Sequence, residues 1–154
     1  MSSDTMSSLR PVVVGVDGSE PSRAALRWGA EEARLRGLPL EAVITWEFPN
    51  TDGWDYPDLD LDLGEDAKKM IDETITSVLG ETPDAPVTAT VIHGHAALVL
   101  VERSEEAALV VVGSRGHGGF AGLLLGSVSE HLAAHARCPV AIIHVPKDRH
   151  QEKR

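Results

Sequence analysis

The chain has 154 residues, of which 42% are hydrophobic and only 4% aromatic, and its formal net charge at pH 7 is −10. This length suits a single domain with a core of valine, isoleucine, leucine and alanine, and the acidic surface disfavours nucleic acid as a partner because it repels phosphodiester backbones. No apolar run approaches a membrane span, no signal peptide is visible, and the single cysteine, Cys138, excludes an internal disulfide, so we expect a cytoplasmic protein without membrane contact.

Five apolar runs rich in β-branched residues alternate with helical patterns along the chain. The predicted strands are Pro11–Asp17, Leu40–Trp46, Pro86–Ile92, Ala108–Val112 and Pro139–Val145. The predicted helices are 20–36, Asp66–Leu79, Ala96–Ser104 and Ser127–Arg137, the first of them capped by Ser19 and closed by Gly37. The alternation predicts an α/β domain with a parallel sheet over residues 11–146, between a flexible arm at 1–10 and a charged tail at 147–154.

Helical periodicity also predicts which side of each helix faces the core. The residues assigned to the inward faces are Leu26, Ala30, Ala33, Met70, Ile71, Ile75, Val78, Leu79, Leu98, Val99, Val101, Val128, Leu132 and Ala136. Cys138 precedes the last strand, where a small core residue is expected rather than a nucleophile.

An acidic segment, Glu47–Asp66, separates the second strand from the second helix. Its Asp-Leu-Asp-Leu-Asp alternation suggests a metal site, but the glycine turn and closing glutamate of an EF-hand loop are absent. We therefore predict a solvated, mobile loop that binds no metal tightly and that can fold over a neighbouring crevice.

The stretch Leu109–Ser129 begins as the fourth strand, passes through a glycine-rich loop and enters a helix at Gly126-Ser127. The first N–H groups of a helix lack internal partners and the helix dipole favours anions there, so this stretch predicts a phosphate cradle. The alternative is a surface loop whose glycines serve flexibility alone. A dinucleotide fingerprint at Gly116–Ala121 is poorly supported in so glycine-rich a loop, and no lysine precedes Ser127 as a Walker motif requires.

One spacing is more specific: Gly113-x2-Gly116-x9-Gly126-Ser127. Together with VVVGVDGS near the N-terminus and RCPVAIIHV near the C-terminus, it resembles the nucleotide-binding branch of the universal stress protein family over Pro11–Pro146. The resemblance implies a doubly wound, five-stranded parallel sheet of order 3-2-1-4-5 with helices on both faces. Asp17 and Gly113 then end the two strands between which the direction of sheet growth reverses, where such folds bind ligands.

The resemblance also implies which residues contact the nucleotide, here ATP or another adenine nucleotide, and the absence of a lysine from the loop predicts that Mg shares the phosphate charge. These residues are Gly15, Val16, Asp17, Thr45, Val112, Gly113, Arg115, Gly116, Gly126, Ser127, Val128 and Ser129. Asp17 either accepts hydrogen bonds from adenine or ribose or holds the turn that follows it. Gly113 and Gly116 permit positive φ and close approach of a ligand, while Ser127 either caps its helix or contacts phosphate. Arg115 and His117 either reach a phosphate or point to solvent.

The histidines show no metal spacing. His131 and His135 lie four residues apart on a helix, but the glutamate of the H-E-x-x-H motif is absent, so a solvated helix face is expected. We assign no metal ligands and no catalytic residues.

These observations predict a stress-response regulator that binds an adenine nucleotide and acts through nucleotide-dependent assembly or partner binding. The alternative is a slow ATPase or self-phosphorylating phosphotransferase that uses the same crevice, although the loop has no lysine and no general base is evident. A receiver-type domain is disfavoured because Ile92 leads into His93 and Gly94 instead of an acid. The last strand, Pro139–Val145, is apolar and lacks a lysine or central proline, which predicts a homodimer through that edge.

Overall fold

The computed structural model describes residues 9–47, 57–115 and 125–145, with side chains in helix 57–79 described from residue 62 onward. In chain order its elements are β1 (Val12–Gly15), α1 (Glu20–Arg36), β2 (Leu40–Trp46), α2 (Pro57–Leu79), β3 (Val87–His93), α3 (Ala96–Ser104), β4 (Leu109–Gly113), α4 (Ser127–His135) and β5 (Val140–Ile143). Most boundaries lie within one or two residues of the predicted ones, the usual uncertainty of an element's end. The predicted arm, except for its last two residues, and the predicted tail lie outside the described residues.

The five strands form one parallel sheet of order β3-β2-β1-β4-β5. This confirms the predicted doubly wound arrangement. The central strand β1 pairs on one side with β2, Val12 opposite Leu40, and on the other with β4, Val12 opposite Leu109. The chain adds β2 and then β3 on one side of β1, and later β4 and then β5 on the other side, so the direction of sheet growth reverses at the gap between β1 and β4.

Alternate residues of β1 enter two different cores, because successive side chains of a strand point to opposite faces. Val12 and Val14 pack on the face covered by α1 and α2, and Val13 packs on the face covered by α3 and α4. All three side chains are almost completely buried. The strand is therefore buried on both sides, as its continuous valine run predicts.

Helix α1 has the ends that its sequence predicts. The Ser19 hydroxyl accepts a hydrogen bond from the Ser22 N–H at the N-terminus, and Gly37 adopts a left-handed conformation (φ 66°) at the C-terminus. Glu20 and Pro21 occupy the first turn, where an acid and a proline are favoured. These caps fix where the turn after β1 meets the helix.

Helix α2 begins at Pro57, well before the predicted start at Asp66. The prediction of a mobile loop over the whole acidic segment is therefore wrong for residues 57–66, and residues 48–56 lie outside the described part. A proline at the first helical position and acids in the first turns suit a helix N-terminus, because the proline N–H is not needed there and the dipole favours negative charge. The sequence analysis missed this start because the Asp-Leu alternation does not have the period of a helix.

Two predicted inward residues face solvent. Met70 on α2 is 42% exposed and Leu98 on α3 is 62% exposed. Helix α2 instead packs through Ala67, Ile71 and Thr74, and α3 through Ala97, Leu100 and Ser104. Met70 and Leu98 each lie next to a buried residue in the sequence, Ile71 and Ala97, so a small rotation of the helix about its axis turns them to solvent.

Within the described ranges, none of the helices combines the length and the apolar composition needed to cross a bilayer.

Candidate functional site

The predicted site residues gather at the edge of the sheet where the strands end. Asp17 follows β1, Gly113 ends β4 and Thr45 lies in the penultimate position of β2. Because β1, β2 and β4 are parallel, these carboxyl ends meet at one edge, on either side of the gap where the sheet order reverses. Gly15, Val16 and Val112 lie in the same strand ends. The structure thus brings the first half of the predicted site together.

The Asp17 carboxylate organises the turn into α1. Its Oδ1 accepts a hydrogen bond from the Ser19 N–H at 2.9 Å and a second from the Ser19 hydroxyl. The Asp17 N–H in turn donates to the Ser22 hydroxyl oxygen at 3.2 Å. The turn-holding role considered for Asp17 is therefore observed, and it fixes the carboxylate just beyond the carboxyl end of β1.

Gly113 is required by packing and not by its backbone angles. A Cβ built on it would lie 2.6 Å from Pro21 Cβ and 2.7 Å from the Pro21 carbonyl carbon, far inside contact distance. The positive-φ glycines of the described chain are Gly18, Gly37, Gly80 and Gly94, so Gly113 does not use the positive φ that a glycine permits. The first turn of α1 lies directly on the end of β4, and only a glycine leaves room for it. Gly116 lies outside the described residues.

The two ends of the glycine-rich loop meet at a small hydrogen-bonded junction. The Gly126 N–H donates to the Ser114 carbonyl at 2.6 Å, and the Ser129 hydroxyl lies 3.0 Å from both the Ser114 and the Gly126 carbonyl oxygens. The Ser114 N–H donates to the Ile143 carbonyl of β5 at 2.8 Å. Ser114 and Ser129 are both buried. The end of β4, the start of α4 and the edge strand β5 are thereby joined; residues 116–124, including His117, lie outside the described part.

Helix α4 begins at this junction. Its N-cap is Gly126, in an extended conformation (φ −74°, ψ 168°) and without a side-chain cap, so Ser127 is the first helical residue and not the cap. Ser127 is exposed, Val128 is half-buried, and Arg115 is half-buried on the other side of the loop. In contrast to α1, no N-cap side chain accepts from the first N–H groups of α4. Such a terminus is suited to an anion.

An aromatic pair that sequence analysis missed lies at the same edge. The rings of Trp46 and His93 are stacked with their centroids 4.3 Å apart, and the Trp46 carbonyl accepts from the Gly94 N–H at 3.0 Å. A Cβ on Gly64 of α2 would lie 3.6 Å from the Trp46 ring. The signal was present in the sequence, since both residues end neighbouring strands and are paired in register.

Among the residues that the structure describes, the other titratable side chains form no second cluster. The rings of His131 and His135 lie 4.5 Å apart on α4, yet the described residues contain no group of three or more histidine, cysteine or acidic side chains placed to hold a metal. Burial raises the pKa of the Cys138 thiol above its ordinary value. The thiol is therefore protonated at neutral pH, which argues against a nucleophilic role.

Comparisons with known proteins identify the same family that the sequence motifs resemble. Residues 8–144 match the family model described as "Universal stress protein family". The chain is 41% identical over 133 residues to Universal stress protein Rv2623 of Mycobacterium tuberculosis, an alignment that covers 86% of this chain and 44% of the relative. The chain thus spans about half the length of the curated relatives it matches.

Solved structures resemble the chain over most of its length. One is a universal stress protein in complex with cAMP, with a TM-score of 0.68 and 26% identity over 90% of this chain and 99% of that one. Another is the universal stress protein from Archaeoglobus fulgidus in complex with dAMP, with a TM-score of 0.62 and 27% identity over 87% of this chain and 97% of that one.

Proposed function

Because this chain belongs to the universal stress protein family, we propose that it binds an adenine nucleotide in the crevice at the carboxyl ends of β1 and β4. We propose further that nucleotide occupancy controls its assembly or its choice of partner in a stress response. The observation that carries the proposal is the junction of Ser114 with Gly126, which sets the uncapped N-terminus of α4 beside the end of β4. The bound cAMP and dAMP of two similar structures support the choice of ligand.

The base and the ribose belong on the β1–β2 side. The Asp17 carboxylate is held in place by Ser19 and lies at the crevice floor, where a carboxylate oxygen can accept from an adenine amine or a ribose hydroxyl. The backbone of Thr45 lies one strand away and would meet the adenine edge. Gly15 and Val16 complete this wall, and Gly15 already packs closely on Leu100 of α3, since a Cβ there would lie 2.9 Å from Leu100 Cδ1.

The phosphates belong over the loop and the start of α4. Backbone N–H groups can bind them without loss of side-chain entropy, and each dipole or charge-assisted contact contributes on the order of 0.3–2 kcal/mol. The proposed contacts are Val112, Gly113, Arg115, Gly116, Gly126, Ser127, Val128 and, through its backbone N–H, Ser129. Several such contacts with a buried adenine give roughly −7 to −8 kcal/mol, a micromolar-range affinity. Since the loop has no lysine, a magnesium ion shares the phosphate charge.

Titration calorimetry with ATP tests this function directly. We expect a dissociation constant in the micromolar range with Mg, and weaker binding after chelation because the phosphates then lose a neutralising cation. Adenosine serves as the control, since it lacks the phosphates and should be indifferent to chelation. Absence of binding at millimolar ATP, cAMP and AMP, together with no adenine nucleotide in mass spectra of the purified protein, would overturn the proposal.

We also predict a homodimer through β5. This strand lies at the sheet edge beyond β4, and its four residues Val140–Ile143 are apolar and only half-buried. Val145, just after the strand, is 40% exposed. An apolar edge of this kind favours pairing with a second strand. Sedimentation at micromolar protein should give a dimer mass.

A charge at this edge should separate the two copies. Val145→Lys places an exposed lysine beside the strand and should shift the equilibrium towards monomer. Leu98→Lys is the matched control, because it makes the same kind of exchange at an exposed position on α3 and should leave the mass unchanged. A monomer mass for the unmodified protein at every concentration would contradict the prediction.

A further inference from the structure

We propose that Ser129 is a positioning residue for the nucleotide, whose hydroxyl holds the two ends of the glycine-rich loop together instead of contacting phosphate. The proposal rests on the nucleotide-binding function above. It assigns different roles to the two serines of Gly126-Ser127-Val128-Ser129. Ser127 is exposed at the first helical position, whereas Ser129 is 1% exposed. We call the group formed by the Ser114 carbonyl, the Gly126 peptide and the Ser129 hydroxyl the loop latch.

The geometry assigns the hydroxyl proton of Ser129 to the interior. The oxygen lies 3.0 Å from the Ser114 carbonyl and 3.0 Å from the Gly126 carbonyl, so its single proton is shared between two acceptors. A hydroxyl in this position has no donor left for a phosphate. The Ser129 side chain is also almost completely buried.

The two acceptors lie on opposite ends of the loop. Ser114 directly follows β4, at the start of the loop. Gly126 is the N-cap of α4, at the end of the loop. The same Gly126 carbonyl accepts the first helical bond of α4 from the Glu130 N–H at 3.0 Å. The hydroxyl of Ser129 therefore fixes the first turn of α4 relative to the end of β4. That fixed relation sets the direction in which the N–H groups of the turn point, and preorganised donors bind more tightly than donors that must be ordered on binding.

Replacement of the hydroxyl should leave a folded chain. In Ser129→Ala the Ser114 carbonyl still accepts from the Gly126 N–H and the Gly126 carbonyl still accepts from the Glu130 N–H, so neither buried oxygen loses its last partner. The variant removes an extra restraint and not an obligatory bond. This distinguishes it from most substitutions of a buried polar residue, which leave an unsatisfied group.

The test compares Ser129→Ala, Ser129→Thr and Ser127→Ala in two measurements. The first is the affinity for ATP and for adenosine by calorimetry. We expect Ser129→Ala to weaken ATP about fivefold to tenfold, the equivalent of one hydrogen bond, and to leave adenosine almost unchanged. Ser129→Thr retains the hydroxyl and should restore ATP binding.

The second measurement is amide hydrogen exchange over residues 125–130 in the nucleotide-free protein. Ser129→Ala should accelerate exchange there, because the latch is weakened before any ligand arrives, and Ser127→Ala should not. Weaker ATP binding by Ser129→Ala with unchanged exchange would indicate a direct phosphate contact and overturn the positioning role. Unchanged ATP affinity in Ser129→Ala would also overturn it.

The proposed function can fail separately. If the unmodified protein binds no adenine nucleotide, the nucleotide role of Ser129 falls with it, whatever the exchange data show. If the unmodified protein binds ATP but Ser129→Ala behaves like it in both measurements, the function stands and only the latch is rejected.

Discussion

Gly126→Asp is expected to weaken ATP binding at least tenfold, about 1.4 kcal/mol, in a chain that still folds. Gly126 has φ −74° and ψ 168°, an extended conformation open to any residue, and it is the N-cap of α4, where aspartate is among the favoured residues. The backbone conformation at position 126 therefore accepts aspartate without strain. The new carboxylate, however, stands at the helix terminus that the phosphates approach, and like charges repel there.

Gly126→Asn is the matched control for charge. Asparagine has nearly the shape of aspartate and a similar preference for the N-cap, but it is neutral. It should lose less ATP affinity than aspartate, and the difference between the two variants isolates electrostatic repulsion from the space that a side chain occupies. Calorimetry gives the affinities and circular dichroism checks the fold. An unchanged ATP affinity in a well-folded Gly126→Asp protein would place the phosphates elsewhere.

Gly113→Ala is expected to lower the free energy of unfolding by roughly 1–3 kcal/mol, the range seen when a well-packed site is overfilled. The added Cβ would meet the backbone of Pro21 at 2.7 Å, and a backbone in the first turn of α1 cannot move aside as a flexible side chain would. The loss should be visible as a lower midpoint in urea unfolding. ATP binding should weaken too, because the displaced turn carries Ser19, the partner of Asp17.

Gly64→Ala makes the same chemical change at a roomier position. Its Cβ would lie 3.6 Å from the Trp46 ring, an ordinary contact, and it lies inside α2, where alanine is favoured over glycine by up to about 1 kcal/mol. We expect this variant to be as stable as the unmodified protein or more stable. Equal unfolding midpoints for Gly113→Ala and the unmodified protein would show that α1 can shift without cost.

The sequence predicted the sheet because its strands are rich in β-branched residues and α1 carries strong caps at both ends. The valines of β1 could belong only to a strand buried on both faces, and Ser19 and Gly37 marked α1 without ambiguity. The start of α2 was missed because an Asp-Leu alternation has the period of a strand and its charges suggest a loop. The inward orientation predicted for Met70 and Leu98 was wrong, because helical periodicity indicates an inward face without deciding how far the helix is rotated about its axis.

The sequence predicted that the candidate site residues gather at one edge of the sheet, but not the contacts that they make there. Topology alone brings Asp17 and Gly113 to one edge, since Asp17 follows β1 and Gly113 ends β4, the two strands that flank the reversal of sheet order. The reason for a glycine at 113 is its contact with Pro21, and the inward hydroxyl of Ser129 depends on carbonyls fifteen and three residues away. The spacing of residues along the sequence does not reveal these contacts. The nucleotide contacts themselves stay predictions.

The pairing of β1 with both β2 and β4 has a consequence for synthesis of the chain. Every element from α1 to α3 lies between β1 and β4, so on the ribosome the central strand must wait for its second neighbour. At roughly 5–20 residues per second, the valine edge of β1 stays unpaired for several seconds after β2 has emerged. A nascent chain stalled before Leu109 therefore displays an apolar strand edge, which makes it a target for chaperones and a seed for aggregation.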